Sequence, residues 1–98
     1  MKVRFSQRAL LDVRESGDFI AAENPSAATR FVESLEARCN NLAHSPRSGL
    51  ARPELGETIR SVPFGQYVVF YSLNDAELRI ERVLHGARDM GTAYGVTP

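Results

Sequence analysis

The chain is 98 residues long, 43% hydrophobic and 24% charged, with 12 lysines and arginines set against 12 aspartates and glutamates. That length suits one domain around one core, and zero net charge argues against unaided binding of a phosphate backbone, which calls for a markedly basic surface. The single cysteine, Cys39, excludes an intramolecular disulfide and a cysteine cage for zinc.

No apolar run approaches the roughly 20 residues that span a bilayer. The opening stretch MKVRFSQRALLDVRES lacks the continuous apolar segment of a secretory signal. A cytoplasmic protein with no membrane partner is therefore expected. Arginine outnumbers lysine eleven to one, a bias that suits bidentate pairing with carboxylates and packed interfaces.

In chain order, residues 2–5 (KVRF) alternate polar and apolar and read as a short strand. Ser6 is placed to cap a first helix running to about Ala22. Leu10, Val13, Gly17 and Ile20 share one face at helical spacing. Gly17 costs roughly 1 kcal/mol there relative to alanine; it marks either a weak point or a close approach to a neighbouring helix. Asn24-Pro25 opens a second helix, with Asn24 as cap and Pro25 at the first helical position. This helix runs to about His44, which complements the dipole at its end. Its apolar stripe is Ala28, Phe31, Val32, Leu35, Cys39 and Leu42, with Cys39 as a small core residue. The two helices form a hairpin that Ser45-Pro46 ends.

Residues 46–57 (PRSGLARPELGE) read as a loop, pinned to the body by Leu50 and Leu55. Three strands follow, 58–62, 66–73 and 77–84, joined by turns at Pro63-Phe64-Gly65 and Asn74-Asp75. Connections this short make the strands antiparallel neighbours. The middle strand turns Tyr67, Val69, Tyr71 and Leu73 to one side and Val68 and Phe70 to the other. The hairpin covers one face. The other is covered by the tail or a partner, unless the tyrosine hydroxyls simply reach solvent. Residues 85–98 form a tail, docked or mobile, and the whole of 1–98 is read as one domain.

The order of a strand, two helices and a three-stranded meander resembles the RelE/ParE toxin superfamily over nearly the whole chain. Three stretches bring it nearer to ParE. FSQRALLDVRESGDFIAAENPSAATRFVESL resembles the family's Ser-x-x-Ala helix start and Asn-Pro-x-Ala-Ala opening of the second helix. LAHSPRSGLARPELGETIR resembles its Pro-x-x-Gly loop before an arginine strand, and QYVVFYSLNDAELRIERVLHGARDM its closing hairpin. The resemblance implies an α+β fold, β-α-α-β-β-β, with the helical hairpin packed on a small antiparallel sheet. It also implies a type II toxin–antitoxin pair of the plasmid-stabilising kind. The toxin would poison DNA gyrase by binding, without being an enzyme, and a ParD-like antitoxin would neutralise it. Operator DNA would be met only indirectly, through the antitoxin.

On that reading Leu10, Val13, Phe31, Leu35, Arg60 and Arg79 are candidates for antitoxin contact, although the first four are also core candidates and the two arginines also fit solvated strand positions. The rival is a RelE-type ribosome-dependent mRNA endonuclease. Its chemistry needs a base, an acid and cations for the phosphate, which His85, Arg60 and Arg88 would supply. RelE's lysine-rich strand is absent, and Arg88 and Asp89 equally suit an ion pair that fixes the tail. A third possibility is an inactive toxin that serves as its antitoxin's co-repressor. Strict alternation places Arg82 beside Leu78, Ile80 and Leu84, where an unpaired guanidinium is costly. It needs a carboxylate such as Glu57 or Asp89, a bulge that turns it outward, or an acidic partner segment. No metal-ligand pattern, phosphate loop or cofactor motif is present.

Overall fold

The first strand is only four residues long, and its shortness shapes the molecule. In the computed structural model, which describes residues 1–89, β1 (Lys2–Phe5) leads into a helical hairpin of α1 (Gln7–Ala21) and α2 (Pro25–Leu42). Four more strands follow: β2 (Leu50–Ala51), β3 (Ile59–Phe64), β4 (Tyr67–Leu73) and β5 (Glu77–His85). They form one sheet in the order β1-β5-β4-β3-β2. Its β3–β4–β5 meander is antiparallel as expected, but β1 pairs with β5 in parallel, from Lys2 opposite Glu77 to Phe5 opposite Ile80. The sheet is therefore mixed rather than antiparallel, because the hairpin serves as the crossover that a parallel pair requires. Of the expected tail, residues 90–98 lie outside the described residues.

Both helix starts follow from their caps. Ser6 Oγ accepts the Ala9 amide at 2.9 Å and Asn24 Oδ1 the Ala27 amide at 3.0 Å, with Pro25 at the first position. The second helix stops at Leu42, short of the expected His44. The amides of Ala43, His44 and Ser45 instead bond carbonyls three residues back, the tighter turn with which helices often end.

The face of α1 differs from the expected stripe. Its buried residues are Ala9, Asp12 and Ser16, while Leu10 is 56% exposed. Leu10, Val13 and Gly17 lie on the flank toward α2. A Cβ at Gly17 would meet nothing within 4 Å, so the glycine does not mark a close approach. On α2 the stripe is seated as expected at Leu35, Cys39 and Leu42, all buried. Burial pushes the Cys39 thiol up to about 11, with Arg38 pulling it down and Glu36 adding to the rise.

Two features of the sheet were hidden by simple alternation. The loop over 46–57 contains β2, which pairs Leu50 with Ser61 and Ala51 with Arg60. Leu50 does not pin this loop, being 70% exposed. The pin is Tyr71, whose buried hydroxyl donates to Pro46 O at 2.8 Å and accepts the Gly49 amide at 3.0 Å. Arg60 adds bonds to Gly49 O at 3.0 Å and Arg47 O at 2.9 Å. A Cβ at Gly49 would collide with the Tyr71 hydroxyl and lie 2.9 Å from Ser61 O. Val69, Phe70 and Tyr71 are all fully buried, so β4 is covered on both faces at its centre, with the Arg52 guanidinium 5.5 Å above the Phe70 ring.

The second feature is a bulge on β5. Tyr71 pairs with Ile80 but Phe70 with Arg82, which leaves Glu81 extra. Val83 thereby joins Leu78 and Ile80 in the core, and Arg82 leaves their row. Its carboxylate partner is Asp12 on α1, bonded by Arg82 Nε at 2.8 Å and Nη2 at 3.0 Å. The same carboxylate accepts the Val83 amide at 3.0 Å.

Two stability changes are expected in urea unfolding. Asp12→Ala takes the acceptor from a buried strand amide and removes the carboxylate bonded to Arg82, and costs about 3–5 kcal/mol. Gly17→Ala, with open space for the methyl group, raises stability by about 0.5–1 kcal/mol.

Candidate functional site

Because β1 ends at Phe5 and α1 then follows the flank of β5, the hairpin leaves a notch beneath β1. This groove of about 340 Å³ is lined by Val3 and Phe5 from β1, Leu10 and Val13 from α1, and Val32, Leu35, Glu36 and Asn40 from α2. It continues along the hairpin through Val13 and Val32 into a shallower channel of about 420 Å³ past Gly17, Ala21 and Ala28. Among the described residues β1 is the outermost strand on that side of the sheet, so backbone groups on its far edge face no other described strand.

The groove brings together three of the six residues expected to contact an antitoxin: Leu10, Val13 and Leu35. Leu35 forms its floor, being 1% exposed and a core residue first. Phe31 lies on the other flank of α2, its ring centroid 4.9 Å from Tyr67 and 5.8 Å from Phe64. Arg60 holds the loop, as described above. Arg79, 43% exposed, lies 3.8 Å from Glu81; its Nε atom is buried without a hydrogen-bond partner.

A different cluster closes the end of β5. The His85 Nδ1 atom accepts the Arg88 amide at 3.2 Å, and Nε2 lies 3.3 Å from Gln66 Oε1. Together these contacts fit the tautomer protonated on Nε2. The ring stands edge-on to Tyr67, centroids 5.2 Å apart. Asp89 Oδ2 accepts the His85 amide at 2.9 Å, and Asp89 Oδ1 lies 3.2 Å from Arg88 Nε. Partial burial works to raise the Asp89 carboxyl, but the His85 amide and Arg88 outweigh it and hold the carboxyl below its ordinary value. The Arg88 guanidinium also lies 5.0 Å from the centroid of the exposed Phe19 ring.

Beside this cluster is a concavity of about 610 Å³ whose charged lining is Arg8, Arg82 and Arg88 against Asp12, Glu15 and Asp89. Arg60 is not part of it. It sits opposite Tyr71 on β3, whereas His85 sits opposite Tyr67, about 13 Å apart along the strands alone. The three residues considered for RNA cleavage thus do not converge. Among the described residues no group of three or more His, Cys, Asp and Glu could hold a metal ion, and no helix is long and apolar enough to cross a membrane.

Sequence reasoning missed Asp12, Tyr71 and Glu36. Asp12 had a signal, since Ala9, Asp12 and Ser16 make a small and polar stripe at helical spacing. Tyr71 had none, because its hydrogen-bond partners, Pro46 O and the Gly49 amide, lie in a loop without periodicity.

The Asp89 geometry has a pH consequence. A depressed carboxyl stabilises the fold above its unfolded value and releases that stability as pH falls through the folded one. The His85 amide proton in an NMR titration is expected to follow this step, below the ordinary carboxylate range, and to lose it in Asp89→Asn.

Known proteins resemble the chain at three levels. The family model described as ParE toxin of type II toxin-antitoxin system, parDE, matches residues 3–90. Toxin RelE2 of Caulobacter vibrioides is 34% identical over 88 residues, covering 89% of this chain and 97% of that toxin. A solved structure titled as the chromosomal ParDE TA system from P. aeruginosa superposes with a TM-score of 0.75 at 17% identity, covering 87% of this chain and 95% of that one; at that identity it speaks to the fold. With its strand, helical hairpin and closing meander in the same order, the chain belongs to the ParE toxin family of type II toxin–antitoxin systems.

Proposed function

We propose that this toxin acts by occupancy: it binds DNA gyrase, stalls it, and carries out no chemistry of its own. The observation that carries this reading is the state of His85. Both ring nitrogens have internal contacts, the neighbouring Arg88 is paired with Asp89, and Arg60 stands apart at another end of the sheet. Proton transfer to and from a phosphodiester needs a base and an acid within reach of one substrate atom. Among the described residues no such pair is assembled at the end of β5.

Neutralisation follows from the groove. A ParD-like antitoxin would lay apolar side chains over Leu10, Val13 and Leu35 and cover the free edge of β1. With no net charge on the toxin, operator DNA would be contacted through the antitoxin. Gyrase as target places the site of action in the cytoplasm.

One observation favours a second reading. The 34% identical relative carries the name RelE2, and RelE-type activity would mean cleavage of ribosome-bound mRNA. Purified toxin tested in parallel against gyrase supercoiling and against translating ribosomes separates the two. Supercoiling is expected to stop at near-stoichiometric toxin and to recover on adding antitoxin, with message intact. Message cleavage that disappears in His85→Ala would establish the endonuclease instead.

A further inference from the structure

Among the described residues Glu36 is the one charged side chain in the lining of the groove beneath β1. Its neighbours one helical turn away are Val32, Glu33, Cys39 and Asn40, none cationic. Elsewhere the chain pairs its acids readily. Asp12 meets Arg82, Glu54 meets Arg52, Glu77 meets Arg4 and Asp89 meets Arg88. Among the described residues no ion pair engages Glu36. An unpaired acid on an open helix face is ordinary, since water solvates it. Glu36 differs in what surrounds it: Val3, Phe5, Leu10 and Val13 across the groove, and Val32 and Leu35 on its own helix.

Any segment that fills this groove strips water from that carboxylate. Burying it beneath apolar side chains alone leaves an uncompensated charge, a penalty large enough to reject the segment. Asn40, one turn further along α2, offers a second polar group beside it but cannot neutralise it.

We propose that Glu36 determines which antitoxin this toxin accepts. The occupant is an antitoxin segment that places apolar side chains against Leu10, Val13 and Leu35 and a lysine or arginine against the Glu36 carboxylate. Segments with the same apolar anchors but a neutral or acidic residue at that point are excluded. Specificity thus comes from a penalty on wrong partners as much as from attraction of the right one. This inference rests on the groove being the antitoxin site, and the test separates the two.

The measurement is calorimetric titration of purified toxin with its cognate antitoxin. Glu36→Arg, an exposed substitution that leaves the core untouched, is expected to weaken binding at least about tenfold. Glu36→Gln weakens it less and flattens the dependence on salt. Replacing the facing antitoxin cation by glutamate restores binding to Glu36→Arg and weakens it to the natural toxin. Glu23→Arg, in the joint between the helices and outside the groove, changes affinity by less than about twofold. If Glu36→Arg binds as tightly as the natural toxin while Leu10→Asp does not, Glu36 has no such role and the groove assignment stands. If Leu10→Asp also binds unchanged, the groove is not the antitoxin site and both readings fall.

Discussion

The contact between Asp12 and the outer edge of β5 governs how the two halves of the molecule meet. β1 pairs with β5 only as far as Ile80. Beyond that point the backbone of β5 would face solvent or a helix with its polar groups unmatched. Ser6 supplies the first replacement, donating its amide to Ile80 O at 2.9 Å and its hydroxyl to Glu81 O at 3.0 Å. Asp12 supplies the next by accepting the Val83 amide. Ladder bonds thus pass from a strand to a helix cap and then to a helical side chain along one edge. Arg82 neutralises the carboxylate that this arrangement buries, and the bulge at Glu81 brings it into reach. Bulge, arginine and aspartate form one device, because each would be costly without the other two.

That device explains where the groove lies. Since α1 begins only after β1 has ended, and is drawn toward β5 by Asp12, it cannot also cover the underside of β1. The flank of α1 that carries Leu10 and Val13 is left beside α2 with space between. A longer β1, or an α1 seated one position round so that Leu10 entered the core, would have closed the notch. The open surface is thus a consequence of how the sheet edge is satisfied, not of poor packing: Ala9, Leu35, Cys39, Val69 and Ile80 beneath it are at most 1% exposed.

The order of elements was legible in the sequence because each boundary has a local chemical cause. Ser6 and Asn24-Pro25 start helices, and Gly65 with its positive φ of 58° turns one strand into the next. The apolar period of α2 was equally readable, since that helix packs on the core with three large or sulfur-bearing residues. What could not be read were features fixed by distant partners. The face of α1 was misjudged because its buried positions are small or polar, and the identity of Asp12 matters only to a strand some 70 residues on. β2 was invisible because two exposed residues, Leu50 and Ala51, carry no pattern. Within the candidate site, Leu10, Val13 and Leu35 were legible by their apolar spacing. Phe31 shared that spacing but falls on the opposite flank of α2, a distinction of about one residue's rotation.

The arginine bias takes on a structural meaning in this light. Arg82 grips a carboxylate with two nitrogens, Arg60 spans the carbonyls of Gly49 and Arg47, and Arg52 bonds Glu54 and Ser61 while lying over Phe70. In each case one planar cation with several donors ties together segments that a small core cannot reach. A lysine could supply the charge but not the fork, nor stack on a ring with its whole head group. A domain of this size buries a modest share of its surface, and long loops such as the one around Gly49 are where it is short of apolar contacts. Cations committed in this way are not available to a phosphate backbone. The excess of arginine over lysine thus has a structural side: Arg52, Arg60 and Arg82 direct their guanidinium groups against backbone and carboxylate, while Arg4 and Arg8 stay more than half exposed and pair with Glu77 and Asp12.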